Sequence, residues 1–453
     1  MTTAVRPDKA LWRLGGVLIM GAVLSILDAT IVTVGIDSIA RDLGSPLTTV
    51  QWVASAYLLA ASAAIPLSGW LTDRFGGRAV WLAAVALFTA GTLLCGFAWS
   101  APALIVFRVL HGLGGGLMQP VGQAVFAQEA GPALGRMIGV ITLPATVAPV
   151  LGPMLGGALV ADFGWRWMFF GIVPLGVATF VFARRLLPAP APGGVREPLD
   201  VRGIALLSPG LGAFVYGLAE GVVVAAVAGA ALLLAYGVHA ARTRWAVLDL
   251  KLFRDKGFAV ASASTFLLGA SLYSSMLLLP LYYQQVEHAS ALQAGLLLAP
   301  QALGSAAVLL TGGRLLARFG PRTMMLAGIT LSLLGTIAFT QLGSSPGSVL
   351  LTVSLLIRGA GLGAATTPGM TTLYGSLERS RIPRAASAFN VVNRIGGSLG
   401  TALLAAVLHH ELAATAAPTA FGATFTWALA LSALTLVPAA FFPKSSSPKR
   451  SLA

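Results

Sequence analysis

Long apolar runs alternate with short polar segments along this whole chain, and the length of the runs decides what they are. A helix crossing a bilayer needs about 17 to 25 apolar residues, and counting runs of that size yields fourteen candidate spans. They begin near residues 14, 50, 79, 101, 137, 167, 203, 221, 258, 291, 323, 348, 386 and 421. The seventh and eighth, about residues 203 to 219 and 221 to 238, are separated only by Glu220 and Gly221 and read as one helical hairpin. Charge-rich stretches flank that hairpin, and the first is broken by Pro188, Pro190, Pro192, Gly193 and Gly194, as a connector would be. The predicted fold class is therefore an all-α polytopic membrane protein in five parts. These are a six-helix bundle over 1–183, a cytoplasmic linker over 184–202, an inserted transmembrane hairpin over 203–238, a second cytoplasmic linker over 239–257, and a six-helix bundle with a short cytoplasmic tail over 258–453.

One polar loop is used twice. Gly69 to Arg78, GWLTDRFGGR, returns as Gly313 to Arg322, GRLLARFGPR. Internal duplication in a membrane protein is the signature of a two-bundle secondary transporter, with substrate between the halves and access alternating as one rocks against the other.

Composition agrees with that pattern. The chain of 453 residues is 57% hydrophobic and 10% charged, with mean hydropathy +0.85, outside the balance of a soluble globular protein. A formal net charge of +14 would suggest a polyanion partner in a soluble protein, but here the basic residues are spread through short loops and form no nucleic-acid-binding domain. If residue 1 is cytoplasmic, most of the 29 Lys and Arg fall on cytoplasmic segments, and the external loops keep Arg41 and Arg166. That skew places both termini inside. The first span is not read as a cleaved signal peptide, because its apolar run is too long and carries an acid. Trp52, Trp70, Trp99, Trp165, Trp167 and Trp245 fall near span ends, where an interfacial aromatic belt would put them. The single cysteine, Cys95, excludes an intramolecular disulfide and reads as a buried, inert thiol.

Gly69, Asp73, Arg74, Gly76 and Arg78 resemble the loop signature of the major facilitator superfamily, which lies between the second and third helices of such transporters. Further stretches resemble its fourteen-helix drug:proton antiporter branch: LDATIV from Leu27, QWVASAYLLA from Gln51, RVLHGLGGG from Arg108, and GPMLGG from Gly152, the last matching the exporters' antiporter motif at Gly152, Pro153, Gly156 and Gly157. GWRWMFF from Gly164, LDLKLFRD from Leu248 and NVVNRIGGSLG from Asn390 extend the likeness over nearly the whole chain. The resemblance implies a bacterial cytoplasmic-membrane antiporter driven by the proton gradient, with no cofactor. It also implies that Asp73 acts as a latch bracing the cytoplasmic side. The sequence departs from the pattern at His111, where glutamine is common, and at Thr33, Asp37 and Ala317. Ala317 replaces the acid of the second loop copy, so only the first half is expected to carry the latch.

Asp28 is the only acid inside any expected span, roughly 12 Å from the outer end of its helix. A carboxylate there loses hydration, so neutral and ionised forms can both become accessible, as proton coupling requires. The competing reading is a structural carboxylate paired with Arg108 or capped by hydroxyls such as that of Thr30. Arg108 lies about 10 Å deep by the same rise and is a candidate partner, either a moving one that changes proton affinity or a fixed ion pair. His111, three residues on, is either a relay or a satisfied buried histidine. Gly152, Pro153, Gly156 and Gly157 offer a flat, kinkable surface for close helix packing. Arg358 and Arg394 lie inside later spans and either meet backbone carbonyls or line the cavity, together with Asn390 and Asn393.

No phosphate-binding GxxxxGK[ST] and no metal-ligand spacing occurs, so an enzyme is not expected. The expected partners are protons, small-molecule substrates and the lipid bilayer, with no nucleic acid, and the chain is expected to be a monomer. The expected substrates are amphipathic, often cationic, drugs or toxic compounds. The alternatives are export of one natural product in self-protection and a non-transporting receptor on the same fold.

Overall fold

The computed structural model describes residues 9–188, 198–243, 245–344, 346–375 and 377–443, so Pro190, Pro192, Gly193 and Gly194 of the expected first linker lie outside the described residues. Described residues fold into α-helices without strands. In chain order these are α1 Lys9–Asp42, α2 Leu47–Ala64, α3 Leu67–Phe75, α4 Gly77–Gly96, α5 Ala101–Ala130, α6 Leu134–Thr142, α7 Pro144–Phe163, α8 Arg166–Phe170 and α9 Val173–Leu186. They continue as α10 Val201–Ala219, α11 Val223–Arg242, α12 Lys256–Gln285, α13 Ala291–Ile337, α14 Ser348–Gly375, α15 Ile382–Ala414, α16 Ala417–Ala433 and α17 Leu436–Ala439.

Local chemistry sets the helix starts. Ser100, Asp200 and Asp255 each accept a backbone N–H from the first turn of the helix that follows them, and Ser290 with Gln293 closes a reciprocal capping box ahead of α13. The duplicated loop repeats in backbone as well as in letters. Gly76 has φ 82 and ψ 144, and Gly320 has φ 76 and ψ 164, a conformation open to glycine and strained for other residues. In both copies the next span begins one residue later.

Among the described residues twelve helical stretches are long and apolar enough to cross a membrane, not the fourteen expected, and the fold is an all-α polytopic one with twelve transmembrane helices. The expectation miscounted in two places. The runs beginning near 291 and 323 fall within one stretch, Leu292–Ser344, in which two helices meet at the non-helical Gly320. The run beginning near 137 is divided at Leu143 between α6 and α7 and is not among the twelve.

Helices pair as α1 with α7, α2 and α4 with α5, α10 with α11, α12 with α15, and α13 with α14. The α10–α11 hairpin turns at Glu220 and Gly221 and rests against α2, where Trp52 stacks on Tyr216 and Ser55 donates to Glu220. Little of α11 is buried, and Val223, Val224, Val227 and Leu234 face outward as lipid-facing side chains do. Trp52, Trp99, Trp167 and Trp245 are exposed, but Trp165 is buried, its indole donating to Asp42.

The hydrophobic core is continuous at one end and split at the other. One cluster joins α1, α4 and α5 to Met325, Leu373, Tyr374, Phe389 and Val391, at the end that carries the GWLTDRFGGR loop. A separate cluster, containing Leu279, Tyr283, Phe339, Leu355, Leu404, Leu408, Phe421 and Phe425, serves the later helices farther from that loop.

Candidate functional site

Asp28 on α1 and Arg108 on α5 meet, with Nη1 donating to Oδ2 at 2.7 Å, and both side chains are buried. Their similar expected depth is what allows the contact. The guanidinium also donates from Nε to the Val53 carbonyl at 3.0 Å and lies 4.3 Å over the Tyr57 ring. Nη1 reaches Nδ1 of His111 at 3.1 Å, while Nε2 of His111 lies 2.9 Å from the Thr92 hydroxyl. An arginine nitrogen only donates, so Nδ1 must accept. The contacts therefore assign His111 as the neutral tautomer with its proton on Nε2, directed at Thr92, whose own hydroxyl donates to the Phe88 carbonyl. Nε2 lies 3.8 Å from Asp28 Oδ2. The other carboxylate oxygen, Oδ1, is buried and has no hydrogen-bond partner among the described residues. Thr30 donates to its own helix, at the Ile26 and Leu27 carbonyls.

Glycines let these helices close around the pair. A Cβ on Gly112, Gly114 or Gly116 would strike the backbone of Tyr57, Phe88 or Ala61, on α2 and α4. On α7, a Cβ at Gly152 would overlap the Thr30 hydroxyl and one at Gly156 would sit 3.0 Å from the Ile31 carbonyl, so two of the motif's glycines seat α7 against α1. Gly157 has open space, and the Pro153 and Thr33 side chains lie outside the described residues.

A polar seam joins the first half of the chain to α15. Arg384 Nε donates to Asp73 Oδ2 at 2.8 Å, with both side chains largely buried. A Cβ on Gly69 would come within 3.1 Å of the Arg384 Cα, so this glycine permits the approach. Up α15 from there, Ser387 donates to the Ile65 carbonyl at 2.9 Å, Asn390 donates to Gln123 at 2.8 Å, and Arg394 Nε donates to Ser62 at 3.2 Å. Arg379 pairs with Glu129 at 3.0 Å on the exposed rim. Within the first loop, Arg74 stacks over Trp70 and Arg78 donates to the Arg184 carbonyl, so neither reaches the seam. Gly76 shapes the turn between α3 and α4. Asn393 stays within the later helices, donating to the Thr265 carbonyl at 3.4 Å.

Arg358 on α14 is buried, with no described acid within ion-pair distance. Its donors go to Thr336 at 3.2 Å, Gln301 at 2.8 Å and Ser275. The sequence reading missed these three partners, along with Arg384, Gln123 and Ser62, because each lies on a helix distant in the chain and carries no motif of its own.

The sequence model of the Major Facilitator Superfamily matches residues 18–401 and 261–452. The chain is 34% identical to the Multidrug resistance protein B homolog of Mycobacterium tuberculosis, covering 98% of this chain and 92% of that one. It is 30% identical to the Multidrug export protein EmrB of Haemophilus influenzae, covering 85% and 78%. The fold is similar to that of the human organic anion transporter MFSD10, with TM-score 0.66 at 18% identity, covering 97% of this chain and 100% of that one. The proton:xylose symporter XylE also superposes with TM-score 0.66, at 13% identity and 97% coverage of both chains. The protein is thus a secondary-active transporter related to multidrug-resistance proteins, a bacterial inner-membrane multi-pass protein that moves small molecules across the bilayer, and not an enzyme. Its twelve candidate spans do not support assignment to the fourteen-helix branch. The chain belongs to the Major Facilitator Superfamily.

Proposed function

We propose that this transporter is a proton-coupled exporter of amphipathic compounds, with Asp28 as the proton carrier and Arg108 as its movable counter-charge. The observation that carries the reading is the buried Asp28–Arg108 pair with one carboxylate oxygen, Oδ1, left without a hydrogen bond. A proton arriving on Oδ1 would neutralise the carboxylate and release part of its hold on the guanidinium, so proton binding and helix position become one equilibrium. His111, donating from Nε2 toward Thr92, fixes the other side of Arg108 and serves here as a positioning group. Removing one member of a buried pair costs about 3 to 5 kcal/mol, enough to bias a conformational equilibrium.

The moving parts in this proposal are a first bundle over 1–183 and a second over 258–453, joined through the α10–α11 pair and its linkers, with both termini cytoplasmic. Asp73 with Arg384 would hold the cytoplasmic ends together while the far side is open, and Gly152 and Gly156 would keep α7 close enough to α1 to seal one pathway. Multidrug-resistance and multidrug-export names among the relatives support efflux as the direction.

Asp28→Asn keeps the size of the side chain but cannot change charge. In proteoliposomes it is expected to insert normally, abolish uphill efflux driven by a pH step, and retain downhill exchange. Uphill efflux at wild-type rate would remove Asp28 from the mechanism.

A further inference from the structure

The charges buried within the membrane do not balance. Asp28, Arg108 and Arg358 are buried, and Arg394 is half-buried on the seam. Asp28 is committed to Arg108, and no described carboxylate lies within ion-pair distance of Arg358 or Arg394. From residue 256 onward the chain has three acids, Glu287, Glu378 and Glu411, all at or beyond helix ends. His111 is neutral by its contacts. Three guanidiniums therefore face one carboxylate, leaving two positive charges in excess where lipid and protein screen them little.

The two surplus cations are held differently. Arg358 spends Nε and both terminal nitrogens on Thr336, Gln301 and Ser275, all neutral. It is a fixed source of positive potential. Arg394 is tied at Nε alone to Ser62, and its terminal nitrogens make no hydrogen bond among the described residues. It is also the last rung of the seam that climbs α15 from Arg384 through Ser387 and Asn390, about 15 Å up by helix rise. Beyond it α15 turns to its own half: Gly397 and Gly400 pack on Tyr273 and Ala270 of α12, and Leu404 and Leu408 enter the separate hydrophobic cluster. Arg394 thus stands where the shared core ends and the two sets of helices diverge.

We propose that the transported amphipathic compounds carry an anionic group of the carboxylate or sulfonate kind, and that Arg394 is the residue on which that group docks. This rests on the export reading and replaces the expectation of cationic substrates. A quaternary ammonium compound would approach a like charge and find Asp28, the buried carboxylate described within the spans, already bonded to Arg108. A planar guanidinium with two free terminal nitrogens suits the two oxygens of a carboxylate.

The experiment is equilibrium binding, without any gradient, to the full chain in nanodiscs of neutral phosphatidylcholine. The probes are two fluorescent naphthyl-alkyl amphiphiles of one skeleton, one ending in a carboxylate and the other in a quaternary ammonium. The wild type is expected to bind the carboxylate at least about tenfold more tightly, the scale of one charge-assisted contact. Arg394→Gln is expected to lose that factor for the carboxylate and nothing for the ammonium, and Arg394→Lys to recover only part of it, because a point charge replaces the two-pronged contact. Equal or tighter binding of the ammonium by the wild type, or an undiminished carboxylate preference in Arg394→Gln while Arg394→Lys binds normally, would overturn the proposal. Because no proton gradient is used, failure of proton coupling at Asp28 leaves this result unaffected.

Discussion

Replacing Asp73 by Asn tests whether the Asp73–Arg384 pair holds the seam closed. The pair spans 2.8 Å, and its two side chains are 16% and 17% exposed, which places it between two measured regimes. Exposed pairs contribute about 0 to 1 kcal/mol, and breaking a fully buried one costs about 3 to 5 kcal/mol. A loss of about 1 to 2 kcal/mol follows. The neighbouring Glu129–Arg379 pair is largely solvated and cannot make up the difference. Since about 1.4 kcal/mol is a factor of ten, a closed-to-open ratio near 10:1 would fall to about 1:1. The assay is a distance distribution between spin labels at Ala79 and Ser380, both exposed at the loop end. Asp73→Asn is expected to add a longer-distance population, slow transport and leave substrate binding near normal. Arg384→Gln should reproduce the shift, and combining both changes should add little, because two residues of one pair share one coupling energy. Unchanged distributions in Asp73→Asn with transport lost, or fully additive effects in the double variant, would refute the latch.

Two further outcomes follow from packing and charge. Gly152→Val should cost about 1 to 3 kcal/mol of thermal stability by driving α7 off Thr30, while Gly157→Val, which faces open space, should be tolerated; equal melting temperatures would contradict the seating of α7 on α1. Hydrogen bonds from Trp165 and then Arg166 hold the Asp42 carboxyl below its ordinary 3.8. A depressed carboxylate stabilises the fold above its unfolded value and loses that contribution as pH falls through the lower folded one. Asp42→Asn should therefore melt earlier than wild type at pH 7, with the gap closing in acid below about pH 4. A gap that persists there would mean that Asp42 acts by some route other than its charge.

How much was legible from the sequence depended on the range of the physics involved. Asp28 and Arg108 could be matched because helix rise converts residue number to depth, and His111 followed from the helical repeat. The turn at Gly76 and its copy at Gly320 could be read from the repeated letters. Arg384 could not be matched to Asp73, since nothing local to either residue encodes a contact across so long a stretch of chain. Arg358 was placed inside a span, either meeting backbone carbonyls or lining the cavity, but its neutral cradle draws Ser275, Gln301 and Thr336 from two other helices, and serines and threonines are common in every span. The span count failed for the opposite reason: hydropathy reports composition over a window and does not show that the two helices meeting at Gly320 fall within one stretch, Leu292–Ser344.

The two copies of the loop have diverged in charge and not in backbone, and this bears on how the cycle must run. Gly76 and Gly320 keep the same left-handed turn, which any two consecutive spans joined so tightly need. Arg358 precedes a Gly-Leu-Gly on α14 much as Arg108 precedes one on α5, so each half also retains a buried guanidinium. The acids are what the second half lacks. Ala317 stands where Asp73 stands in the first copy, and no carboxylate in the later helices answers Arg358 as Asp28 answers Arg108. On the proposed reading, a protonatable group and a latch placed in one half make that half the one whose state changes, while the other presents a constant positive charge. On that division, a carboxylate introduced beside Arg358, as Gln301→Glu, would neutralise the constant charge without altering the pH dependence of transport that the proposed proton carrier Asp28 sets. A change in that pH dependence would mean that both halves take part in handling the proton.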